Sequence, residues 1–177
     1  MPGEHGVERQ EGGRELGLAR RLSLAVTAGL HRLLASLAGV ALAGLPRAGG
    51  LPVLRGGGTL PDARPQLESA LGLLARLAPG LRERLQRHVT GLFLMRRPPV
   101  HGYYSRITGT CTLDVDALHR ESPVEIAAAM VRCATEGWLW SSGRGRSRAD
   151  EARILEVSEL ARLHFLRRAV QRMGASI

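Results

Sequence analysis

The run from Ser122 to Trp140 constrains the fold of this chain more than any other segment. Ser122-Pro123-Val124-Glu125 supplies a capping hydroxyl, a proline at the first helical position and a glutamate three residues after the cap. The hydroxyl can accept the otherwise unpaired amide of Glu125, and the Glu125 carboxylate can return to the Ser122 amide. From Ile126 to Leu139 the sequence stays largely apolar and alanine-rich, with Arg132, Cys133 and Glu136 as its ionisable side chains. A helix that is apolar around most of its circumference is a buried helix. The other elements must therefore wrap it.

Several segments can do so. Residues 65–78 predict a helix that starts at Pro65 and carries Leu67, Leu71, Leu74 and Leu77 at helical spacing. Pro79-Gly80 breaks it, and Leu81 to His88 predicts a shorter, charged helix. Val89 to Met95 reads as a strand ended by Arg96-Arg97-Pro98-Pro99. Residues 103–115, from Tyr103 and Tyr104 through Cys111 to Val115, are β-prone, with a bend expected at Gly109. Ser141 to Ser147 is a Gly/Arg loop. Asp150 is placed to cap a last helix reaching about Arg172, with Ile154, Leu155, Val157, Leu160, Leu163, Leu166 and Val170 as its apolar positions. Trp138 and Trp140 cannot both face the core from one helix, so one belongs at a rim.

The N-terminal part differs in character. Residues 1–16 are Gly, Glu and Arg rich and read as a disordered tail. Residues 17–45 are apolar, but His31 and Arg32 interrupt them, and a central arginine is costly in lipid. A buried or amphipathic helix is the favoured reading. Arg20-Arg21-Leu22-Ser23-Leu24 faintly resembles an export signal, but Glu4, Glu8, Glu11 and Glu15 precede it. Residues 46–64, dense in Gly and Pro, read as a linker. The expected fold class is α+β: a mostly helical domain over 65–177 with a small sheet, extended by an N-terminal helix and linker over 17–64.

Composition excludes some chemistry. All 25 basic residues are arginine. Without lysine there is no Walker-type phosphate loop and no Schiff-base nucleophile. Two cysteines cannot build a disulfide framework or a four-thiolate zinc site. The net charge of +9 favours an acidic protein partner. Nucleic acid is disfavoured, because no aromatic side chains stand among the arginines of the densest stretch, Arg144 to Arg153, to stack bases.

Arg132 and Glu136 share one helical face, and an ion pair between them is the simplest expectation. The surrounding segment, Ala127-Ala128-Ala129-Met130-Val131-Arg132-Cys133-Ala134-Thr135-Glu136-Gly137-Trp138-Leu139, resembles the active-site helix of small bacterial zincin-like metallopeptidases. Their helix reads Val-His-Glu-Ala-Thr-His-Ala, with a further Glu in an Arg-Ile-Glu sequence on the next helix. This chain has Arg153-Ile154-Leu155 there, and Phe165 ten positions later matches the family's downstream aromatic. The resemblance spans roughly residues 65–170 in one register.

In that family the two His side chains and the downstream Glu hold zinc, and the Glu between the histidines is the general base. Carried over by position, the resemblance puts Arg132 and Glu136 at the two His, Cys133 at the base and Leu155 at the downstream ligand. Arginine stays protonated and cannot ligate zinc. Leucine has no donor atom, and cysteine is not a carboxylate base. The resemblance therefore implies a zincin-like pseudoenzyme with no zinc cofactor and no catalytic residues, acting through binding. Two alternatives stand beside it. One is a residual hydrolase using Cys133, Glu136 and a loop histidine such as His101 or His119. The other is a basic nucleic-acid or membrane-surface binder attached through residues 17–45. Cys111 is placed to meet Cys133 if its strand lies over the helix. A cytoplasmic location is the expectation, with an exported or membrane-associated protein as the alternative.

Overall fold

The computed structural model describes residues 44–56, 62–98, 100–144 and 147–174. The expectations for residues 1–16 and for the apolar segment up to residue 43 lie outside them. Two short strands come first, β1 (Arg47–Ala48) and β2 (Leu51–Arg55), followed by the helices α1 (Arg64–Leu77) and α2 (Pro79–His88). Strands β3 (Gly91–Met95), β4 (Tyr103–Tyr104) and β5 (Thr110–Asp114) follow, and the chain ends in α3 (Val115–Arg120), α4 (Pro123–Ser141) and α5 (Arg148–Gly174). The fold is mixed α+β, as the sequence predicts.

The sheet has five strands in the order β1-β2-β3-β5-β4. Strands β2 and β3 are parallel, with Val53 opposite Leu92, so α1 and α2 together form the crossover that parallel pairing requires. Strand β5 runs parallel to β3, with Leu92 opposite Cys111, and β4 returns antiparallel along the outer edge of β5. Glycine is required at the turn before β5, where Gly109 has a φ of +71°.

The linker reading of residues 46–64 is corrected here. Residues 47–55 are two strands of the sheet. Gly49 and Gly50, with φ of +51° and +88°, make the two-residue turn between them, a mirror-image turn that only glycine enters freely. Arg82 fixes that turn to the helices, because its guanidinium donates to the carbonyls of Leu71, at 3.1 Å, and of Gly49.

Helix α4 is the hub. It packs on α1, α2, α5 and the β4–β5 edge, and Ile126, Met130 and Leu139 on it are fully buried. Burying each such side chain stabilises the fold by about 1.5–3 kcal/mol. Its start follows the sequence in part. The Ser122 hydroxyl accepts the Glu125 amide at 3.4 Å. The Glu125 carboxylate instead pairs with Arg162 of α5 at 3.3 Å.

Helix α5 starts three residues earlier than a cap at Asp150 implies, and its cap is Ser147. The Ser147 hydroxyl accepts the Asp150 amide at 3.1 Å and donates to the Asp150 carboxylate at 2.7 Å. Of the apolar positions expected on α5, Leu155, Leu160, Leu163 and Val170 are exposed. The core contacts come from Ile154, Ala161 and Phe165. Helix α3 has no counterpart in the sequence reading. It is capped by the Asp114 carboxylate, which accepts the Asp116 amide at 3.0 Å. No helix among the described residues is long and apolar enough to cross a membrane.

Two partly buried histidines give the fold a pH dependence. Burial holds the His101 ring below the ordinary histidine value against the opposing pull of Glu121 and Asp114. Its Nδ1 accepts the Asp114 amide at 3.0 Å, which requires an unprotonated nitrogen there. Burial, with Arg87 and Arg84 nearby, lowers His88 in the same direction. The unfolded chain therefore takes up these protons first as the pH falls. Stability is fully present above the ordinary value of about 6.5 and declines as the pH drops through it toward the folded values. A lower urea midpoint is expected at about pH 5.5 than at about pH 7.5, with a smaller difference in His101→Gln. An equal or higher midpoint at the lower pH would contradict this.

Candidate functional site

Helices α4 and α5 and the β4–β5 turn border a half-open cavity of about 260 Å3 lined by Arg106, Arg132, Glu136, Glu151, Ile154 and Leu155. Three sequence-selected residues meet here: Arg132 and Glu136, one helical turn apart on α4, and Leu155 from α5. Leu155 forms the exposed lip.

The expected Arg132–Glu136 ion pair is not formed. Glu136 is taken by Arg106, whose Nε and Nη2 donate to its Oε1 at 3.3 and 3.2 Å. Arg106 projects from the turn closed by the Gly109 amide bonding to the Ser105 carbonyl, and its guanidinium lies 4.9 Å from the ring centroid of Trp140. Glu136 and Trp140 are four residues apart on α4, so they hold Arg106 from two sides, one by charge and one by its π face. Arg preceding Glu at this spacing is also the weaker order for a pair. Among the described residues Arg132 makes no ion pair, and its Nε is shielded from solvent without an acceptor.

Cys133 does not line the cavity. It is fully buried, its Sγ 2.6 Å from that of Cys111 on β5. The strand thus lies over the helix as the sequence reading required for these two to meet, and both thiols are free. Burial pushes the Cys133 thiol well above its usual range, and the Cys111 contact adds to this. A protonated thiol with no access is a poor nucleophile. Burial also pushes the neighbouring Tyr104 phenol up to about 12.

No histidine among the described residues lines the cavity. The His101 ring faces Glu121 at 3.3 Å, and the His119 ring meets Gln66 at 3.4 Å. Neither of these two loop histidines is partnered with Cys133 or Glu136. Both tryptophans are half-buried under arginines, Trp138 beneath Arg84 at 4.9 Å and Trp140 beneath Arg106, so the helix places neither wholly in the core.

The donor set does not fit zinc. Of the cavity's side chains only two carboxylates can ligate a metal, and one of them is held by Arg106. Among the described residues no cluster of three His, Cys, Asp or Glu side chains stands ready for a metal.

Arg106, Glu151 and Ile154 were not singled out by the sequence as site residues. Glu151 had a signal, since it stands four residues before Leu155 and so shares its helical face. Arg106 had none, because a turn residue is placed by the pairing of β4 with β5. No protein-family model, curated protein or solved structure matches the chain.

Proposed function

We propose that this chain is a zincin-like protein whose zinc chemistry has been lost, and that it acts by binding in the cavity between α4 and α5. The observation that supports this reading is convergence. Arg132, Glu136 and Leu155 come from two helices and line one cavity, and they stand where the resemblance sets the three metal ligands. Arg132 and Glu136 are neighbours by helical spacing alone, so the informative member is Leu155, which α5 brings to them.

The replacements make chemical sense as a set. A guanidinium at the first ligand position repels a cation, and a leucine at the third removes a donor. The position of the general base is turned into the core as a buried thiol. A binding role survives such changes and hydrolysis of the zincin kind does not.

The reading is tested by rebuilding the ligands. The triple variant Arg132→His, Glu136→His, Leu155→Glu is expected to retain one zinc per chain after gel filtration, read by elemental analysis on protein with native circular dichroism. A folded triple variant that holds no zinc would overturn it.

A further inference from the structure

The cavity carries an incomplete charge pattern. Four ionised side chains line it, and two of them, Arg106 and Glu136, satisfy each other at 3.2 Å. The other two are left over. Arg132 has an Nε out of contact with solvent and without an acceptor. The exposed Glu151 carboxylate lines the same wall and enters no ion pair or hydrogen bond among the described residues. The Nε is closed to the cavity; Arg132 is otherwise half-buried and Glu151 exposed, and both side chains line its wall.

The remainder is one cation and one anion, which selects the charge type of a ligand. A phosphate would meet Arg132 but leave Glu151 unmatched. A diamine would meet Glu151 but leave Arg132 unmatched. A molecule carrying one carboxylate and one ammonium leaves neither side chain unmatched. Ile154 and Leu155 supply an apolar wall beside these charges, suited to an aliphatic group. The cavity holds about 260 Å3. That is small for a drug-sized ligand, whose pockets run from about 300 to 1,000 Å3.

We infer that the cavity binds a free amino acid with an aliphatic side chain. Its carboxylate is taken by Arg132, its ammonium by Glu151, and its side chain lies on Ile154 and Leu155. Arginine suits the first task because its planar fork matches a carboxylate. The inference rests on the cavity being a binding site, and it adds the class of ligand.

The test is calorimetric titration of the full chain with L-leucine, L-leucinamide and N-acetyl-L-leucine. The amide lacks the carboxylate and the acetyl derivative lacks the ammonium. L-Leucine is expected to bind saturably, and leucinamide about tenfold more weakly or worse, the scale of one lost charge-assisted hydrogen bond. Arg132→Gln is expected to weaken L-leucine by a similar factor, and Glu151→Gln to abolish the preference for L-leucine over its acetyl derivative. Absence of saturable L-leucine binding, or leucinamide binding as tightly as L-leucine, would overturn the inference. Zinc content is measured on the same protein. Zinc-free chain that ignores L-leucine refutes the ligand alone, whereas stoichiometric zinc refutes the loss of the metal site whatever leucine does.

Discussion

Phe165→Ala is expected to destabilise the fold by about 3–5 kcal/mol, read from the urea midpoint. The ring is fully buried, whereas most of the large apolar side chains around it on α5 reach solvent, Leu160 at 59% and Leu163 at 37%. The buried apolar anchors of α5 are Ile154, Ala161 and Phe165, with Val157 and Leu166 packed against the core. Removing the largest leaves a cavity that the rigid helix cannot collapse into. Against a typical total stability of about 5–15 kcal/mol, that loss is a large share. Glu151, Ile154 and Leu155 ride on the same helix, so partial undocking would also open one wall of the cavity. A loss below about 1 kcal/mol would contradict this account of how α5 is attached.

Gly102→Ala is the second large effect, with an expected cost of about 2–5 kcal/mol. Two causes add. Gly102 has a φ of +71°, in the left-handed region where a side chain costs about 1–2 kcal/mol. A Cβ there would also stand 2.6 Å from the Ala129 Cβ and 3.1 Å from its Cα, an overlap of the kind that costs about 1–3 kcal/mol. The residue touched belongs to α4, one turn before Arg132, so relief of the clash moves the helix that carries the site. A double variant separates the causes. Adding Ala129→Gly is expected to recover the steric part, after correction for the helix cost of glycine, and to leave the conformational part. If Gly102→Ala alone matches the wild type in stability, the close packing of the β4 edge on α4 is wrong.

The buried helix was legible because its signals are local. Capping at Ser122, the apolar run behind it and the strand character of 89–95 all lie within a few residues of each other. What the sequence concealed depends on distant partners. Residues 47–55 carry turn residues at a density typical of linkers, yet their glycines serve one tight hairpin turn and their strand is completed by β3. Glu125 was expected to close its own capping box, but Arg162 from another helix outcompetes the local amide. The site shows the same division. Arg132, Glu136 and Leu155 were placed by register with a known motif. The partner of Glu136 was not, because Arg106 reaches it only after the β4–β5 turn has formed. The leucines of α5 mislead for a related reason. Helical spacing marks a stripe, but how much of the stripe is covered depends on the width of the body it meets.

The central claim, a zincin-like cleft that no longer holds its metal, is tested most directly by the zinc content of the wild-type chain. Untagged full-length protein is incubated with excess zinc, passed through gel filtration and subjected to elemental analysis. The account predicts folded protein with far less than one zinc per chain. One tightly held zinc per chain would contradict it, because neither Arg132 nor Leu155 can contribute a ligand.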